Sequence, residues 1–109
     1  MKKTLLLALL CLLVFSLSVP LIAADPVIPK PDSQFYVLDE ANVLNDETKN
    51  TIVQTSAALA DKTKAQIVVV TVKSLQDSTP EDYALAILRQ WGIGDKQLNN
   101  GVLILVAPD

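Results

Sequence analysis

The chain reads as an α/β protein built on a parallel sheet, and three stretches carry that reading. Ile67–Val72 is β-branched throughout, and Val102–Ala107 is apolar throughout. Unbroken runs of this kind mark strands buried on both faces of a parallel sheet rather than strands with one wet face. Between them, Thr79-Pro80-Glu81-Asp82 opens a helix with a capping hydroxyl, the proline favoured at the first helical position and two acids in the first turn. Strand, helix and strand then form a βαβ unit, whose crossover is right-handed in about 98% of cases.

Taken in order, the remaining elements follow from local chemistry. Lys2 and Lys3 precede an apolar run from Leu5 to Val14, followed by Ser16, Ser18, Pro20 and Ala23-Ala24. That order is the pattern of a secretory signal peptide, assigned to residues 1–24. Leu5–Ala24 is also as long as the roughly 20 residues that span a bilayer, so an uncleaved anchor is the competing reading. Pro20 and the small residues after it favour cleavage. Cys11 is a small apolar member of the run, because the bulky Leu10 before it does not suit lipoprotein processing. Residues 25–34 hold Pro26, Pro29 and Pro31 and read as an extended tether without fixed structure.

Residues 35–109 form the domain. Phe35–Leu38 is a brief strand or the lead-in to a turn at Asp39-Glu40. Asn45 before Asp46 and Glu47 caps a helix predicted over Asp46–Asp61, with Ile52, Val53, Ala57, Leu59 and Ala60 as its buried stripe. The second helix runs from Pro80 through Tyr83, Ala84, Ile87, Leu88 and Trp91, and Gly92 or Gly94 ends it in a left-handed conformation. Asp95–Gly101 is a polar loop. The chain stops just after its last strand, which predicts that further residues complete the domain.

Removing residues 1–24 takes two lysines and no acid, leaving seven basic against twelve acidic residues, a net charge of −5. An acidic exported segment argues against nucleic acid, which demands a basic face, and permits cation binding. That segment has neither Cys nor His. Disulfides, thiol or imidazole catalysis and zinc sites of the usual type are therefore excluded within it.

Three motifs invite a chemical reading. Asp95, Gln97 and Asn99 alternate like calcium ligands, but the EF-hand template fails at its sixth position (Asn100) and its twelfth (Val106), so a turn that launches the last strand explains the loop better. Gly92 and Gly94 follow a helix, whereas phosphate loops precede one. The carboxylates are the remaining candidates. In a parallel sheet, function collects at the carboxyl ends of the strands, and that edge would carry Asp77 and Asp109, joined by Asp39 if the first strand is parallel. Converging acids can hold a hard cation or assist phosphate hydrolysis; the competing explanation is that Asp favours turns.

Val37-Leu38-Asp39-Glu40-Ala41-Asn42-Val43-Leu44, then Gln66–Val72, Glu81-Asp82-Tyr83-Ala84, Trp91-Gly92-Ile93-Gly94 and Asn99–Ala107 resemble, in order, the TPM-domain family, including YgcG-like envelope proteins. The resemblance runs from Tyr36 to Asp109. It implies a three-layer α/β/α, Rossmann-like sandwich of which this chain holds the N-terminal, incomplete portion. Family members are exported or thylakoid-lumenal, and many carry a C-terminal transmembrane helix and a Gly-rich tail, which implies membrane association of a full-length protein. Some are described as acid phosphatases, some bind calcium through acids at the strand ends, and one is an auxiliary subunit of a receptor channel. Asp39 and Asp109 match the family's acidic positions flanking the cleft and are the metal-ligand candidates, with calcium as the implied cofactor. Asp77 matches no family motif. The resulting expectation is an exported envelope accessory module acting on an envelope or membrane protein partner, with a low-activity acid phosphatase as the alternative.

The leader generates one direct prediction. The mature chain begins near Asp25, so N-terminal sequencing of the exported product should read Asp-Pro-Val; an intact Met1 in the membrane fraction would show an anchor instead.

Overall fold

The computed structural model describes residues 25–109, so the leader and its cleavage lie outside the described residues. Five elements alternate along the chain: β1 (Val37–Asp39), α1 (Asp46–Thr63), β2 (Gln66–Thr71), α2 (Pro80–Trp91) and β3 (Gly101–Val106). They build a three-stranded sheet in the order β1-β2-β3 with both pairings parallel. Val37 pairs with Val69, and Val69 with Ile104, so three apolar residues line up across the sheet.

Both helix starts form as their side chains dictate. The Asn45 side chain accepts from the Thr48 amide at 2.8 Å, and the Thr79 hydroxyl accepts from the Asp82 amide at 3.1 Å. Helix α1 runs two residues beyond its expected end, because Lys64 takes the left-handed conformation (φ 62°) and its N–H returns to the Ala60 carbonyl. Gly92 closes α2 in the same way, at φ 62° with its N–H on Leu88. Gly94 has a different task. A Cβ there would lie 2.5 Å from the Gly101 backbone nitrogen, so the loop can cross the start of β3 only if both positions are glycine.

Strand alternation assigns each helix to a face. Val68, Val70 and Val72 pack with Tyr83 and Ile87 of α2, and Leu38, Leu103 and Leu105 join that side. The other side carries Val37, Asp39, Val69 and Thr71, and α1 covers it, as the approach of Lys49 to Asp39 shows. Ser56 is the residue of α1 buried most deeply, between Ile52 and Ala60 one turn away on either side. A small side chain at the centre lets the helix settle close to β2. Two helices on opposite faces of one sheet make the three-layer α/β/α arrangement. Because the strand order advances without reversal, helices on opposite faces require crossovers of opposite hand. One of the two therefore departs from the expected right-handed connection.

The segment before β1 is extended, as its prolines imply, yet it is held by the domain. The Gln76 side chain accepts from the Val27 amide at 3.0 Å and donates to the Val27 carbonyl at 2.8 Å. The Trp91 indole N–H donates to the Pro29 carbonyl at 2.9 Å, and Ile28 packs on the α2 side of the core. Phe35 stacks at 5.9 Å from Trp91, so the segment closes that face where α2 leaves it open. Composition alone reads this segment as a free tether; it differs because an extended backbone exposes its polar groups to side chains of matching geometry, which Gln76 and Trp91 supply.

These contacts predict two graded effects. Ile87→Ala empties a fully buried position and should cost about 2–5 kcal/mol in chemical denaturation. Trp91→Phe keeps an aromatic against Phe35 but loses the bond to Pro29, so it should cost about 1 kcal/mol and speed amide exchange at Val27.

Candidate functional site

The carboxyl ends of the three strands form one edge, and Asp39 is its most engaged residue. Its side chain is 2% exposed. One carboxylate oxygen, Oδ1, accepts from the Thr71 hydroxyl at 2.6 Å and from the Val43 amide at 3.0 Å; the other, Oδ2, accepts from the Leu44 amide at 2.9 Å and lies 3.7 Å from Lys49 Nζ. The Thr71 hydroxyl in turn accepts from the Ala41 amide at 3.1 Å. The backbone repeats the pattern, with the Glu40 amide on the Thr71 carbonyl and the Asn42 amide on the Asp39 carbonyl. Asn42 turns the chain there at φ 55°, a conformation that asparagine tolerates.

The electrostatics follow from those partners. Burial on its own would raise the pKa of Asp39, but the Thr71 hydroxyl, the amides of Val43 and Leu44 and the Lys49 ammonium together outweigh it. The carboxyl consequently titrates below its ordinary value of 3.8 and is ionised at neutral pH. Tyr83 moves the other way. Burial, and after it the Glu40 carboxylate, raise its phenol above the ordinary 10.0, with Gln76 offsetting part of the rise. Its hydroxyl is neutral under physiological conditions.

The acids singled out in the sequence are distributed unevenly. Asp39, Thr71 and Val106 stand in one row across the sheet, so Asp109, three residues beyond Val106, belongs to the same edge as Asp39. The two outer strands are separated by β2, about 10 Å apart at the spacing of neighbouring strands. Asp109 is exposed, and Asp77 sits in the exposed β2–α2 loop at φ 61°. Among the described residues no three Asp, Glu, His or Cys side chains converge. Calcium takes six to eight oxygens, whereas both oxygens of Asp39 are already committed to the loop that follows it. The donor set at this edge, as it is arranged, does not fit a calcium cage centred on Asp39.

Around this network the surface is shallow. Glu40, Lys73, Ser74 and Gln76 border an open depression of mixed charge at the edge. A larger depression lies elsewhere, between the N-terminal segment and α2, bordered by Asp25, Asp77, Asp82 and Arg89. At the opposite edge of the sheet, the Asp95 carboxylate accepts from the Gln97 and Leu98 amides and Asn99 takes φ 49°, so the acid of that loop is spent on the turn itself.

Thr71 and Lys49 were not singled out by sequence reasoning. Thr71 is the lone hydroxyl in a strand of aliphatic residues, a signal that something polar had to meet it. Lys49 carried none, because only the fold brings the first turns of α1 over the end of β1.

The architecture and the strand-end network define a parallel α/β sandwich in which the β1–α1 loop is fastened to the carboxyl-end edge of the sheet. The model of the TPM domain matches residues 37–109, more than half of the chain. This protein belongs to the TPM-domain family, and the described portion is a partial TPM sandwich. A search of curated proteins finds no match.

The low pKa of Asp39 has a defined consequence for stability. Its contribution is complete above the ordinary value of 3.8 that applies when the chain is unfolded and is lost as pH falls through the lower folded-state value. Asp39→Asn should lower stability at neutral pH by about 1–3 kcal/mol, since an amide has one acceptor oxygen for the three hydrogen-bond donors and loses the charge that faces Lys49, and should flatten the acid limb of a stability–pH curve. An unchanged acid limb would show that another carboxylate sets it.

Proposed function

We propose that this TPM domain acts as an exported accessory module of the cell envelope, recognising a protein partner rather than turning over a substrate. One observation carries the choice: the buried carboxylate at the strand-end edge is spent on fastening a loop. A hydrolytic site needs a group free to attack, to hold a cation or to exchange a proton with the substrate. Asp39 offers no uncommitted oxygen, the Tyr83 phenol stays protonated, and residues 25–109 contain neither Cys nor His. The leader pattern and the acidic composition of the exported segment support an extracytoplasmic setting. Among the described residues no helix is long and apolar enough to cross a membrane, so membrane association of the whole protein rests on the leader or on further sequence.

The alternative is a low-activity acid phosphatase, and one set of assays separates the two. The exported chain should show no turnover of p-nitrophenyl phosphate above blank from acidic to neutral pH, with or without calcium, and Asp39→Asn should lower its melting temperature equally in both. Turnover that disappears in a folded Asp39→Asn variant would establish the phosphatase. A calcium-dependent rise in melting temperature that Asp39→Asn and Asp109→Asn each abolish would establish a cation site shared by the two acids.

A further inference from the structure

The segment before β1 is seated on the domain by its backbone. The Gln76 side chain takes both polar groups of Val27, accepting from its amide at 3.0 Å and donating to its carbonyl at 2.8 Å, while the Val27 side chain is 78% exposed. Two residues on, the Trp91 indole N–H donates to the Pro29 carbonyl at 2.9 Å. Between these anchors the half-buried Ile28 side chain packs on the apolar core, and beyond them Lys30, Pro31, Asp32 and Ser33 are exposed. Main-chain hydrogen bonds and one aliphatic side chain thus carry the attachment.

The receiving surface positions each of these partners. Gln76 takes φ 54° in the turn before α2, with its own amide donating to the Ser74 hydroxyl at 3.0 Å, and its side chain is also hydrogen-bonded to the buried Tyr83 phenol. A residue other than glycine is strained in that conformation, and such strain collects at ligand clamps. At the other end the Phe35 ring lies 5.8 Å from Tyr36 and 5.9 Å from Trp91, so an aromatic cluster adjoins the Pro29 carbonyl. These walls come from the β2–α2 loop, the last turn of α2 and the lead-in to β1, none of them from β3.

The occupant has the matching chemistry. Pro26-Val27-Ile28-Pro29 is a P-x-x-P sequence, whose prolines preset an extended backbone with little entropy left to lose. Segments of this kind dock in aromatic-lined grooves because their shape is already formed. We propose that the channel between Gln76 and Trp91 is a binding site for extended P-x-x-P peptides, that residues 26–29 fill it as a resident ligand, and that a P-x-x-P segment of the envelope partner displaces them. Displacement by a partner rests on the accessory role proposed above; the site itself rests on the contacts. Exchange is open to a partner because the groove reads main-chain atoms, which any peptide of this backbone shape presents, and only the Ile28 position selects a side chain. The resident segment is covalently attached and competes at an effective concentration in the millimolar range, which keeps the groove closed to weak ligands.

Trp91 is the single tryptophan of the sequence, so its emission reports this site. The probe is the peptide Asp-Pro-Val-Ile-Pro-Lys-Pro-Asp, which carries no fluorescent ring, added to the exported chain and to an Ile28→Asp variant whose resident segment can no longer enter the apolar pocket. The variant should show red-shifted Trp91 emission that the peptide reverses saturably, and the parent should need at least about tenfold more peptide because its own segment competes. Adding Gln76→Ala to the variant should weaken binding about tenfold, since both bonds to the peptide backbone are lost. A peptide with its first two prolines replaced by serine should bind more weakly than the original. In the parent, excess peptide should speed exchange of the Val27 amide as the resident segment leaves. The proposal is overturned if Ile28→Asp unfolds cooperatively with shifted Trp91 emission and the peptide restores nothing, or if the serine peptide binds equally well. It is overturned too if Ile28→Asp fails to fold and the peptide leaves Val27 exchange in the parent unchanged, which would make the segment part of the core. Peptide binding accompanied by p-nitrophenyl phosphate turnover would remove the accessory role and leave the groove, whereas neither binding nor turnover would remove the groove and leave the accessory role.

Discussion

Thr71 is fully buried at the end of a strand flanked on both sides, and its hydroxyl cannot be left without partners in that position without a penalty of about 1–3 kcal/mol. It donates to Asp39 and accepts from Ala41. Those two bonds join the end of β2 to the end of β1 and to the loop beyond it. Asp39 extends the connection to the Val43 and Leu44 amides and to Lys49, so the entry of α1 is fastened to the sheet by one continuous polar cluster. The cluster explains why α1 comes to lie on the side of the sheet that carries Asp39, although the side chains it buries are modest in size.

The two layers outside the sheet are built by different means. The α2 side is an apolar core in which Tyr83 and Ile87, one turn apart, enter between Val68, Val70 and Val72. The N-terminal segment finishes that side through Gln76 and Trp91. The α1 side has a small residue, Ser56, at its closest approach and a polar cluster at one end, and it shelters only β1 and β2. An unequal division of this kind leaves β3 anchored on one face through Leu103 and Leu105, with Val102, Ile104 and Val106 exposed on the other.

For function, the decisive contrast is between a carboxylate that is present at a strand end and a carboxylate that is available there. Family membership and sheet topology both direct attention to the edge holding Asp39 and Asp109. The hydrogen bonds show that Asp39 acts inward. The groups left facing outward at that edge, Glu40, Lys73 and Ser74, are exposed and of mixed charge.

Much of the architecture was legible in the residues themselves. The β-branched run of β2 is the interior strand its composition predicts, whereas the equally apolar β3 lies at the edge of this sheet with one face exposed rather than buried on both. Asn45 and Thr79 before acidic first turns start helices because capping is a matter of local hydrogen bonding. The strand–helix alternation and the TPM motifs likewise depend on neighbours in sequence. What the tertiary structure alone decided involves residues far apart in the chain: the pairing of Asp39 with Thr71, the capture of Val27 by Gln76 and of Pro29 by Trp91, and the opposite hand of the two crossovers. Composition assigns Asp39 to a turn or to a cation with equal ease and assigns the proline segment to a tether, since it counts polar groups without saying which of them meet. Whether a carboxylate binds a ligand or its own backbone depends on the donors that folding carries to within 3 Å of it, and that distance is not written at any single position.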